Sequence, residues 1–206
     1  MLPEPLDILF AMPHPDDVEI TCGGTIAKLV KLGHRVGVVH MTDGEPTPRG
    51  TPELRAKELA AAAAILGVTH VETLALPNRE LMDGPAARYA VATVFRSFRP
   101  RIVVGMAGRT PGASPDHYQA QLILEGARFY SRLPQWDERF AKPPPPRIDW
   151  LRYRPVALAM AQAAARTNVP VAATSAPTAP PTLTAAPKPV IRSDAQEELL
   201  VVTNDN

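Results

Sequence analysis

The sequence predicts a three-layer α/β/α domain with a mainly parallel sheet. Two observations carry that expectation. Short apolar runs of strand length alternate with segments of helical character from Asp7 to about Leu133. The helical segments carry capping signals at both ends, which separates them from the strands between them. Strands joined through helices imply right-handed crossovers and a parallel sheet covered on both faces.

Asp7 to Met12 reads as a buried strand, Asp-Ile-Leu-Phe-Ala-Met. Gly23 to Leu32 reads as a helix that Gly33 stops with a left-handed cap. Arg35 to Thr42 forms the second strand. Thr51 caps the next helix, with Pro52 at its first position and Gly67 just past its end. His70 to Leu76 is the third strand, and a helix follows from Ala86 to Phe98, with Pro100 just beyond it. Arg101 to Met106 is the fourth strand, and Ser114-Pro115 opens a helix that reaches about Leu133. The layering is Rossmann-like, but no Gly-x-Gly-x-x-Gly follows the first strand, which argues against a dinucleotide site.

The chain changes character after Phe140. Four prolines, Pro143 to Pro146, precede Trp150 to Arg154, which can still pack. The expected organisation is one domain over residues 1–150 and an Ala/Pro/Thr-rich tail over residues 156–206. Such a composition buries too little apolar surface to offset its ordering entropy, so disorder is expected there. The tail is either a replacement of the original C-terminal part, as truncation or frameshift would produce, or a natural flexible extension.

Charge and cysteine content exclude several function classes. Lys and Arg number 22 against 21 Asp and Glu, a net charge of +1, which gives no electrostatic reason to expect nucleic acid or an anionic membrane. The one cysteine, Cys22, cannot form an internal disulfide or a cysteine-rich zinc site, and is expected to pack at the helix start. No basic segment precedes an apolar run at the N-terminus, and no stretch approaches the roughly 20 apolar residues of a membrane span. A soluble, cytoplasmic protein is the expectation.

In parallel sheets ligands bind beyond the carboxyl ends of the strands. Pro13-His14-Pro15-Asp16-Asp17 occupies that position after strand one. Imidazole and carboxylate both suit zinc. His14 and Asp17 could share one metal, with Asp16 directed at a water. Taken alone, the two aspartates would serve equally as a polar turn capping a helix. A catalytic zinc site typically has three protein ligands and one open position. Ser114-Pro115-Asp116-His117, after strand four, can supply the third through His117. Ser114 suits the N-cap and Pro115 the first helical position. His40, late in strand two, reads as a buried hydrogen-bonded residue rather than a fourth ligand. His34 and His70 precede strands at the opposite edge.

Together with Thr42-Asp-Gly-Glu45 and Arg55-Ala-Lys-Glu58, these motifs resemble the PIG-L/LmbE family of zinc-dependent N-deacetylases, over roughly residues 5–135. The family includes enzymes that act on N-acetylglucosamine conjugates in mycothiol and bacillithiol synthesis. The resemblance implies a hydrolase that removes the N-acetyl group from an N-acetylglucosamine-type sugar or sugar conjugate. It makes His14, Asp17 and His117 the Zn2+ ligands and Asp16 the general base that deprotonates a metal-activated water. It places Arg55 in the substrate pocket, with Ser114 and Asn78 as further substrate contacts. It makes Gly23 and Gly24 a pair that opens the first helix, and it implies homo-oligomers. One departure stands out. The family usually has histidine where this chain has Ser114, and a hydroxyl donates a hydrogen bond but is no cationic acid near neutral pH. Either Asp16 serves as base and then acid, or another group replaces the histidine, or activity is weak. The rival reading is a non-catalytic zinc-binding scaffold.

Overall fold

The computed structural model describes residues 3–46, 50–107, 109, 113–134, 140, 148–155 and 200–202. Strands β1 (Ile8–Met12), β2 (Val36–His40), β3 (His70–Thr73), β4 (Ile102–Ala107), β5 (Trp150–Pro155) and β6 (Leu200–Val202) form one sheet in the order β3-β2-β1-β4-β5-β6. The first five pair in parallel, and β6 pairs antiparallel with β5. The parallel sheet expected from the alternation is therefore present, with one antiparallel strand at its edge. Of the segment expected to be a disordered tail, 200–202 is described as β6, and 156–199 and 203–206 lie outside the described residues.

Side-chain alternation along β1 divides the core in two. Ile8, Phe10 and Met12 face one side, where they meet Val36 and Val38 of β2 and Val18, Cys22 and Ile26 of α1 (Asp17–Lys31). Leu9 and Ala11 face the other, with Val39, Val103, the buried faces of α3 (Pro85–Phe98) and α4 (Pro115–Tyr130), and Leu151. Helices on both faces of the sheet make the three layers. Among the described residues, no helix is long and apolar enough to cross a membrane.

The helix α2 (Pro52–Leu66) is bounded as its caps predict. The Thr51 side chain accepts a hydrogen bond from the Leu54 amide, and Gly67 ends the helix at φ 69°. α1 departs from expectation. It begins at Asp17, so Gly23 and Gly24 lie in its interior and do not open it. The reason is packing. Val18, Cys22 and Ile26 recur every fourth residue, all buried against β1 and β2, and this stripe carries the helix across two residues of poor helix propensity.

The strand order places the site. β1 is flanked by β2 on one side and β4 on the other. β1 continues into α1 on one face, and β4 into α4 on the opposite face. The two connections diverge at this switch point and leave a crevice beyond the carboxyl ends of β1 and β4.

Candidate metal centre

The loop after β1 is held in place before any ligand is considered. The Pro13 carbonyl accepts hydrogen bonds from the Thr42 amide (2.9 Å) and the Thr42 hydroxyl (3.0 Å). The His14 amide donates to Asp17 Oδ2 at 2.9 Å. Asp16 then takes φ 95°, a left-handed conformation uncommon outside glycine that aspartate tolerates better than most residues. This turn sets Asp17 as the first residue of α1 and sends the Asp16 side chain outward, 58% exposed.

The structure brings His14, Asp17 and His117 together, with one ligand atom of each within 4.8 Å of the others. Asp17 presents one oxygen to each imidazole. Its Oδ2 lies 3.2 Å from His14 Nδ1 and its Oδ1 lies 3.4 Å from His117 Nε2. Two imidazoles and a carboxylate are a donor set of the kind zinc takes. Burial would raise the Asp17 pKa, but hydrogen bonds and charge from His117 and His14 overcome it and bring the carboxyl down to about 2. Burial would lower the His14 pKa, and the bonds and charges of Asp17 and Asp116 outweigh it, so the net shift is upward.

Asp116 had no role assigned from sequence. It is 1% exposed, and its Oδ2 lies 3.2 Å from His14 Nε2 and accepts the Arg79 amide at 2.7 Å. His14 thus has a carboxylate beside each ring nitrogen. The signal in the sequence was its place beside His117, but which side chain it meets depends on the β1–β4 pairing.

The remaining candidates lie on neighbouring loops and on α2. Arg55 Nη2 lies 4.0 Å from Asp16 Oδ2, and Pro15, Asp16, Glu19, Arg55 and Glu58 line a hollow beside it. Partial burial and the charge of Asp17 push the Asp16 pKa up, against the opposing charges of Arg55 and His14. Ser114 is the N-cap of α4, its hydroxyl oxygen accepting the Asp116 amide at 3.3 Å. Asn78 turns its amide to the Glu45 carbonyl, 3.1 Å away, and so ties together the loops after β2 and β3. Cys22 is buried in the core, as expected for a packing residue.

A family model described as PIG-L, GlcNAc-PI de-N-acetylase, matches residues 9–127. The chain belongs to this family. It is 33% identical over 138 residues to diacetylchitobiose deacetylase of Thermococcus kodakarensis, covering 63% of this chain and 52% of that protein. It is 31% identical over 167 residues to 1D-myo-inositol 2-acetamido-2-deoxy-alpha-D-glucopyranoside deacetylase 2 of Catenulispora acidiphila, covering 65% of this chain and 55% of that protein. Among solved structures, the conserved protein TT1542 of Thermus thermophilus superposes with a TM-score of 0.66 at 34% identity, covering 73% of this chain and 66% of that one. The chain spans about half the length of the curated relatives it matches. The PIG-L match covers β1 through most of α4, and so every residue of the candidate centre.

Proposed function

We propose that this chain carries the active centre of a zinc-dependent N-deacetylase that releases acetate from an N-acetylglucosamine-type sugar or sugar conjugate. The observation that carries the reading is the His14–Asp17–His117 cluster at the β1/β4 switch point, with the exposed Asp16 carboxylate next to it in sequence and 4.0 Å from Arg55. Relatives named for deacetylation of diacetylchitobiose and of a GlcNAc-inositol support the substrate class.

When bound, zinc supplies Lewis-acid chemistry, polarising the acetyl carbonyl and acidifying water. The protein's own groups do the rest. Asp16 accepts the proton of the attacking water. The same carboxyl then returns that proton to the departing amine, because Ser114 cannot act as a cationic acid. Water and amide are consumed, and acetate and amine are released. Arg55, beside Asp16, holds that carboxylate and borders the space for the sugar. The Ser114 oxygen is engaged as a cap acceptor.

The test couples metal analysis to acetate release from a panel of N-acetylglucosaminides. One zinc per chain is expected. Asp16→Asn should lower turnover by about 100-fold or more while zinc content stays unchanged. Zinc-free protein, or undiminished turnover in Asp16→Asn, would overturn the reading. Ser114 in place of histidine favours one alternative, a zinc-binding protein without catalysis. It predicts full zinc occupancy with no acetate released from any substrate on the panel.

A further inference from the structure

We infer that His40 is a positioning residue of the proposed metal centre, fixing the His14 imidazole through the His14 carbonyl. The inference rests on the metal reading of the cluster. His40 closes β2 and is fully buried. Its backbone is set by both neighbouring strands. It pairs with Met12 in β1 and Thr73 in β3, and its carbonyl accepts the Leu74 amide at 2.8 Å. From this anchored point its Nδ1 lies 3.1 Å from the His14 carbonyl oxygen. A carbonyl only accepts, so Nδ1 carries the hydrogen of this bond.

Two features separate this contact from ordinary core packing. The other positions of β2 are Val36, Gly37, Val38 and Val39, and an apolar side chain at 40 would continue that run. Instead a buried imidazole stands there whose Nε2 has no hydrogen-bond partner among the described residues, an arrangement that costs stability. The return on that cost is the bond to His14. Pro15 follows His14 and offers no N–H, so this part of the turn cannot fold back on itself through that amide. With the His14 amide on Asp17 and its carbonyl on His40, the peptide groups on both sides of this ligand are fixed. Releasing one of them frees the backbone torsions that aim Nδ1 at Asp17.

Substitution by Asn, Gln and Leu at position 40 separates positioning from packing. The Asn side-chain amide nitrogen falls near the place of Nδ1, whereas that of Gln falls near Nε2. Zinc affinity, measured by chelator competition, is read beside the melting temperature of each metal-free protein. His40→Leu and His40→Gln should weaken zinc binding by about 10- to 100-fold, and His40→Asn should stay within about threefold of the parent. Equal affinity in the parent, Leu and Gln proteins overturns the inference while leaving the metal centre standing. An Asn protein as weak as the Leu protein also overturns it, since the bond at the Nδ1 position would then not be the cause. A parent protein that binds no zinc overturns the metal reading and this inference with it. Should the Leu protein fail to fold, the Asn and Gln pair decides the question.

Discussion

A histidine that holds a metal through one ring nitrogen usually donates its other N–H to a partner that orients the ring. Asp116 stands in that relation to His14, while also accepting the Arg79 amide. One oxygen, Oδ2, serves both partners, so Asp116→Asn can keep both contacts, whereas Asp116→Ala removes them and should weaken zinc binding by about 10- to 100-fold, read by titration calorimetry beside the melting temperature of the metal-free protein. His117→Ala removes a ligand outright and should abolish stoichiometric zinc by metal analysis. The family resemblance named His14, Asp17 and His117 as one set, and the structure brings these three together. Asp116 was not legible as a partner of His14, since the two are separated by 102 positions and meet only because β1 lies beside β4. Asn78 was placed on the correct edge, but its amide proved to bind the Glu45 carbonyl, a contact that depends on how two loops meet.

At the scale of single elements, capping chemistry was read more reliably than helix interiors. Thr51, Pro52 and Gly67 bound α2 as their residue types require. α1 was read as too short because its glycine pair suggested a beginning, whereas burial of Val18, Cys22 and Ile26 extends it to Asp17. Gly67 is both left-handed and crowded, since an added Cβ would sit 3.0 Å from Val30 Cγ1. Gly67→Ala should destabilise the protein by about 1 kcal/mol or more in urea denaturation. A larger effect is expected between α3 and the end of α4. Arg96 is fully buried, donates to the Ser131 carbonyl at 3.0 Å and the Leu133 carbonyl at 2.6 Å, and lies 4.3 Å from the Phe140 ring centre. Arg96→Met keeps much of the stem but deserts two carbonyls, at about 1–3 kcal/mol for each that stays unsatisfied. The same denaturation measurement should register a loss greater than that of Gly67→Ala.

For the molecule as a whole, alternation of strands and helices announced a layered parallel sheet, and charge balance gave no indication of a polyanionic partner. Strand order was not legible, because pairing partners are chosen by packing of both faces at once, and neither was the antiparallel pairing of β6 with β5. Metal removal tests the molecule at this scale. Zinc at about 100 times its dissociation constant should stabilise the native state by about 2.7 kcal/mol, so chelation should lower the melting temperature and zinc should restore it. The placement of the ligands gives that number a further meaning. His14 and Asp17 lie in the turn from β1 into α1 and His117 at the start of α4, so a bound ion would join positions roughly 100 residues apart along the chain. In this chain, whose single cysteine can form no internal disulfide, such an ion would take the place of a cross-link. Hydrogen exchange should then find the first turn of α4 opening together with the β1–α1 turn when zinc is present, and opening ahead of it once zinc is withdrawn.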